Sequence, residues 1–283
     1  MKLARYDAGN GPRLAVVEQD GVIDLALAGI DTADMMDIIA GGDAMLARIR
    51  KAIAGRAPDH QLADVRLLAP YRPCKYLAIG MNFRKHVEEA QRLGVEEPKM
   101  QFWFNKQTTC INGPFDPIEP GVTEKLDYEV ELGVVIGKAA KGVTAASALG
   151  HVFGYLVAND VSARDWQFHS PTFTMGKSFD THGPIGPWIV TADEIPNPQA
   201  LDLTCHVNGE QRQASNTSQM IHPVDRQIEY LSTAFTLEPG DLIATGTPEG
   251  VGVGMQPQVF LEPGDVVRCE ITGIGAIENR VAG

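Results

Sequence analysis

The chain is 283 residues long, 44% hydrophobic and 21% charged, enough apolar material for one large domain with a small appendage. A net charge of -12 at pH 7, with no basic stripe, argues against nucleic acid or an anionic membrane as a partner. No apolar stretch approaches the roughly 20 residues of a membrane span, and Met1-Lys2-Leu3-Ala4-Arg5-Tyr6-Asp7 lacks the apolar core of a signal peptide, so a soluble, cytoplasmic protein is expected.

In chain order, short strands around Gly11-Pro12 and Gly21 precede an amphipathic helix over residues 43–54, a small αβ unit. The two prolines of Leu68-Ala69-Pro70-Tyr71-Arg72-Pro73 interrupt regular backbone pairing and set a boundary between residues 69 and 70. In Asn82-Phe83-Arg84-Lys85-His86-Val87-Glu88-Glu89, a helix would place Glu89 against the His86 imidazole. The density of Arg84, Lys85, Glu88, Glu89 and Arg92 fits a solvated charged helix, and on these residues alone that reading is favoured.

In Leu126-Asp127-Tyr128-Glu129-Val130-Glu131-Leu132, strand alternation points Glu129 and Glu131 to one face. Tyr128, Val130, Leu132, Val134 and Ile136 take the other, which reads as core. Two unpaired carboxylates on a buried strand would each lose several kcal/mol of hydration, and a hard divalent cation would offset that cost. A half-exposed strand with two solvated glutamates is the alternative. Asp160 closes the apolar run at residues 151–159, just before a polar, helix-like stretch at 162–167. Three oxygen donors without His or Cys suit Mg²⁺ or Mn²⁺ better than zinc, although Asp160 could simply cap the helix. Arg164 and Gln167, three apart, would share one helix side and could grip a substrate carboxylate.

The remainder reads mostly as strand, with a hairpin turn at Asn208-Gly209 and a helix over residues 225–234. Leu-Glu-Pro-Gly-Asp occurs at 237–241 and again at 261–265, as repeated type II turn chemistry. The glycine-rich run at 250–254 lacks the preceding strand and following helix of a dinucleotide fingerprint, and reads as a close-approach loop beside a site. Four cysteines without paired spacing read as buried free thiols.

Five stretches then arrive in the order of a known family. They are Ile79-Gly80-Met81-Asn82-Phe83 with His86, the Asp127-Tyr128-Glu129-Val130-Glu131-Leu132 word, Asn159-Asp160-Val161-Ser162-Ala163-Arg164-Asp165-Trp166-Gln167, Gly176-Lys177-Ser178-Phe179-Asp180-Thr181, and Thr245-Gly246-Thr247-Pro248-Glu249-Gly250-Val251-Gly252. Over residues 70 to 280 the chain resembles the fumarylacetoacetate hydrolase superfamily, in particular its shorter acylpyruvase and hydroxyheptadienedioate isomerase-like members. The resemblance implies an α+β, mainly β fold, a mixed β-sandwich roll at 70–283 behind a small N-terminal αβ domain at 1–69, pairing as a homodimer.

The resemblance also implies Glu129, Glu131 and Asp160 as ligands of Mg²⁺ or Mn²⁺, with Ca²⁺ as an ion the site could also hold. Lys177 would stabilise an enolate as charge develops and hold substrate, Arg164, Gln167 and Thr247 would bind substrate, and Thr181 would contact metal-bound water. His86 with Glu89 would form a lid dyad that activates water. The activity implied is hydrolysis of a carbon–carbon bond in a small β-diketo acid, an acylpyruvate or a fumarylacetoacetate-like compound, through a metal-stabilised enolate. Isomerisation of 2-hydroxyhepta-2,4-diene-1,7-dioate type and oxaloacetate decarboxylation share that enolate and stay open, as does a catalytically silent paralogue that only binds metal and dicarboxylate.

Overall fold

The computed structural model describes residues 1–32 and 34–283. Its architecture is mainly β and rests on one large mixed sheet. Across that sheet run His60–Gln61, Gly21–Asp24, Pro12–Glu18 and Lys2–Asp7, then Gly183–Thr191, Val152–Asn159, Val130–Ile136, Leu242–Ala244, Tyr76–Gly80 and Phe102–Lys106. The N-terminal strands join the rest through Lys2 opposite Val190 and Leu3 opposite Ile189.

Val130–Ile136 and Val152–Asn159 are buried at every position, as strands covered on both faces must be, with Glu131 the one charged residue among them. Val130, Leu132, Val134 and Ile136 enter one core, and Val135 enters the other with Leu156 and the helix residues Ile38, Ile39 and Ile49. Glu210–Asn216, Asp202–Val207, Val266–Ile271 and Gly275–Arg280 form a second, antiparallel sheet that shares the first of these cores.

The expected turns are present. Asn208 and Gly209 have φ of 52° and 81°, the doubly left-handed backbone of a type I′ hairpin. In both Leu-Glu-Pro-Gly-Asp copies the Asp N–H donates to the Glu carbonyl at 3.0 Å, and the Asp carboxylate accepts the Glu N–H at 2.7 Å and 2.8 Å. The helix expected at 225–234 is Val224–Ala234. The N-terminal helix starts earlier than its amphipathic pattern indicates and runs Met35–Ile53, because Asp34 caps it by accepting the Met36 N–H at 2.9 Å, and Gly42 kinks it at φ 51°. Cys110, Cys205 and Cys269 are buried free thiols, whereas Cys74 is exposed. Among the described residues, no helix is long and apolar enough to cross a membrane.

His182 is buried, with Nε2 2.9 Å from the Glu119 carbonyl and, among the described residues, no partner for Nδ1. Burial, and then the Lys106 charge, push its pKa down to about 4. A folded value below the ordinary one means that the neutral ring stabilises the fold above about pH 6.5 and that this contribution is lost as the pH falls toward 4. The full effect is about 3 kcal/mol. Urea denaturation from pH 7 to 4 is expected to show a shallower loss for His182→Gln than for the wild type, and identical slopes would contradict it.

Candidate active site

The site begins with strand register. Val130 pairs with Asn159 and Glu131 with Ala158, so the start of one strand lies beside the end of its antiparallel neighbour. The Asp160 N–H donates to the Glu129 carbonyl at 2.9 Å and brings the third acid alongside the other two. One carboxylate oxygen from each of Glu129, Glu131 and Asp160 lies within 4.8 Å of the others, and all three residues are buried. Glu131 is 1% exposed, which removes the solvated-strand alternative. Asp160 does not cap the next helix, because Arg164–Gln167 starts behind Ala163 without a side-chain cap.

Two buried lysines and the partly buried Arg164 face this cluster. Lys177 donates to Asp160 Oδ2 at 2.7 Å and to Glu129 Oε2 at 2.9 Å. Lys106 pairs with the other Asp160 oxygen. Arg164 donates from Nε to Asp127 Oδ2 at 2.8 Å and from Nη1 to Gln167 Oε1 at 3.0 Å. Its Nη2 lies 2.8 Å from Glu129 Oε1 and forms an ion pair with it. Gly176 permits this arrangement, since a Cβ there would run into the Gln167 backbone.

Lys106 and Asp127 were not singled out as site residues from the sequence. For Lys106 a signal exists: Phe102, Phe104 and Lys106 share one strand parity, so a lysine stands on an apolar face.

Burial pushes Glu129 up, but Lys177, Arg164 and His86 outweigh it and hold the carboxyl at about 2. Glu131 is pushed well above the ordinary carboxylate range, by burial first and then by Asp160 and Glu129. Burial works against the Lys177 ammonium, yet Asp160 and Glu129 overcome it and raise the pKa. Glu131 accepts the Gly246 N–H at 2.8 Å and, among the described residues, makes no ion pair. An all-oxygen donor set with one carboxylate lacking a cation fits a hard divalent ion held by Glu129, Glu131 and Asp160.

A cavity of about 510 Å³ opens over the cluster, and Glu129, Glu131, Arg164, Gln167, Lys177 and Thr247 line it. His86 and Glu89 line it too. They lie on the helix Arg84–Arg92, with His86 Nδ1 2.9 Å from Glu89 Oε2. Glu89 is buried while Arg84, Lys85, Glu88 and Arg92 are exposed, so the solvated-helix description applies to those four and not to the dyad. Asn82 anchors the approach to this helix, donating to the Thr245 carbonyl at 2.7 Å and the His222 carbonyl at 3.0 Å.

The threonines differ from the other candidates. Thr247 reaches the cavity, but its hydroxyl donates to the Val130 carbonyl at 2.9 Å and accepts from Gln213 at 2.8 Å. Thr181 is not brought to the cavity, and its hydroxyl accepts the Glu119 N–H at 2.8 Å.

The fumarylacetoacetate (FAA) hydrolase C-terminal family matches residues 75–282. The oxaloacetate tautomerase FAHD2A, mitochondrial, of Bos taurus is 42% identical over 290 residues, covering 99% of this chain and 91% of that protein. The solved fumarylacetoacetate hydrolase from psychrophilic Exiguobacterium antarcticum superposes with a TM-score of 0.84 at 38% identity, covering 100% of this chain and 99% of that one. Maleylpyruvate hydrolase from Sphingobium sp. SYK-6, solved in complex with manganese(II) ion and pyruvate, gives 0.82 at 33% identity, again over 100% and 99%. By its matched residues, its fold and its buried acidic site, the chain belongs to the fumarylacetoacetate hydrolase family.

Proposed function

We propose that this enzyme acts on a small 2-keto or β-diketo acid by way of an enolate, with Glu129, Glu131 and Asp160 holding Mg²⁺ or Mn²⁺. The observation that carries this reading is the His86–Glu89 dyad on the same cavity as the carboxylate cluster. A divalent cation, when bound, supplies Lewis-acid polarisation of the substrate oxygens. The Arg164 guanidinium, which lines the cavity beside Glu129, and the Gln167 amide receive the substrate carboxylate. With Nδ1–H donated to Glu89, His86 presents Nε2 as the base. Lys177 meets the negative charge that develops on the substrate oxygen.

The first reading is hydrolysis of an acylpyruvate. His86 takes a proton from water, the water oxygen bonds to the distal carbonyl carbon, and the carbon–carbon bond breaks with its electron pair passing to the enolate. The proton held by His86 passes to the enolate carbon, which leaves pyruvate and a carboxylic acid. The wall formed by Phe102, Phe104, Phe168, Phe173 and Phe260 favours this reading, because an acyl tail would cover it. The second is keto–enol tautomerisation of an oxaloacetate-like acid, supported by the 42% identity to the Bos taurus oxaloacetate tautomerase. In it His86 moves a proton between the carbon beside the keto group and the enol oxygen, and no bond to water forms. Residues 1–69 act in either case as a small covering domain and 70–283 as the catalytic one, in a homodimer.

A panel of acylpyruvates and oxaloacetate separates the two. Pyruvate release by the wild type, reduced about 10²- to 10⁴-fold in His86→Ala, is the expected result. Accelerated oxaloacetate ketonisation without pyruvate from any acylpyruvate would replace the first reading by the second. No turnover of either class would overturn both.

A further inference from the structure

We infer that Asp127 is a positioning residue that couples Arg164, which grips substrate, to the His86–Glu89 dyad, through the glycine run at 250–254. Asp127 is fully buried and does not line the cavity. Its Oδ1 accepts the Tyr128 N–H at 2.9 Å and the Gly252 N–H at 2.8 Å. Its Oδ2 accepts the Val253 N–H at 3.0 Å and Arg164 Nε at 2.8 Å. One oxygen therefore holds both the loop and the guanidinium. The same loop holds the lid: the Gly250 N–H donates to Glu89 Oε1 at 3.0 Å, and Glu89 Oε2 orients His86.

The glycines make these approaches feasible. A Cβ at Gly252 would stand 2.7 Å from Asp127 Oδ1, and one at Gly254 would collide with the Glu89 carboxyl. The loop's backbone thus fits between two buried carboxylates, one on the Arg164 side and one on the His86 side. A shift at either end moves donors that the other end needs, and such coupling is reciprocal.

An Asp127→Asn side chain keeps the shape but turns one acceptor into an NH₂ donor, which cannot satisfy both Arg164 Nε and the Val253 N–H. The substitution keeps all three carboxylates of Glu129, Glu131 and Asp160, so Mn²⁺ should still bind by calorimetry. Hydrogen exchange of the amides at 84–92 should be roughly tenfold faster than in the wild type. Reciprocally, Glu89→Ala should speed exchange at Gly252 and Val253. Gly254→Ala presses on Glu89 directly and reaches Arg164 only through the loop, so it should lower kcat by about 100-fold with a smaller rise in KM.

The kinetic split rests on the function proposed above. The exchange measurements do not, and they test the coupling even if no keto acid is turned over. Should Asp127→Asn fail to fold, Glu89→Ala supplies the exchange test. Wild-type exchange in the distant segment of every folded variant would overturn the proposal.

Discussion

Exhaustive chelation should abolish turnover, and Mg²⁺ or Mn²⁺ should restore it while Zn²⁺ does so poorly. The reason is the donor set: buried carboxylates alone, one of them with no cationic partner. Replacing Glu131 with Gln keeps the volume and removes one charge, so Mn²⁺ affinity should fall by at least about 100-fold, with activity following it. The metal-free proteins should behave in the opposite sense. Burial, Asp160 and Glu129 hold the Glu131 carboxyl well above its ordinary pKa. A raised carboxyl costs stability as the pH climbs through its folded value. At pH 8 without metal, Glu131→Gln should therefore melt at or above the wild type. On adding Mn²⁺ the wild type should gain stability by mass action and the variant little. Full activity after chelation, or an unchanged Mn²⁺ titration in the variant, would remove the metal from the mechanism.

Lys177→Met should lower kcat by about 10²- to 10³-fold, measured at saturating Mn²⁺. Lys177 is 2% exposed and lies between Glu129 and Asp160, so its loss leaves both carboxylates with one cation fewer. Breaking such a buried pair costs roughly 3–5 kcal/mol of stability, part of which bound metal should restore. Arg164→Ala should instead act mainly on KM, raising it by roughly 10- to 100-fold, the worth of a charged hydrogen bond to the substrate carboxylate. Because Arg164 also clasps Asp127, a smaller loss of kcat should accompany it. Equal and mild effects from both substitutions would place the two cations outside the reaction.

What was legible in the chain itself is local. Glu129, one position before the strand Val130–Ile136, and Glu131, its second residue, meet in one cluster as their two-residue spacing indicates, and His86 meets Glu89 because a helix brings residues three apart together. Asn208-Gly209 and the two Leu-Glu-Pro-Gly-Asp turns follow from backbone angles that those residues favour. In each case dihedral preferences over a few residues decide the outcome. The resemblance named Asp160, Arg164, Gln167 and Lys177, which the structure brings to one cluster, and Thr181, which it does not, without saying what holds any of them there.

The partners were decided by the tertiary structure. Lys106 reaches Asp160 across 54 positions, Asp127 accepts from Gly252 across 125, and Thr247 spends its hydroxyl on Val130 and Gln213 rather than on the cavity. Such contacts depend on which strands become neighbours and in what register. No periodicity in a single segment encodes that pairing, because it is selected by burying all the apolar faces of two shared cores at once.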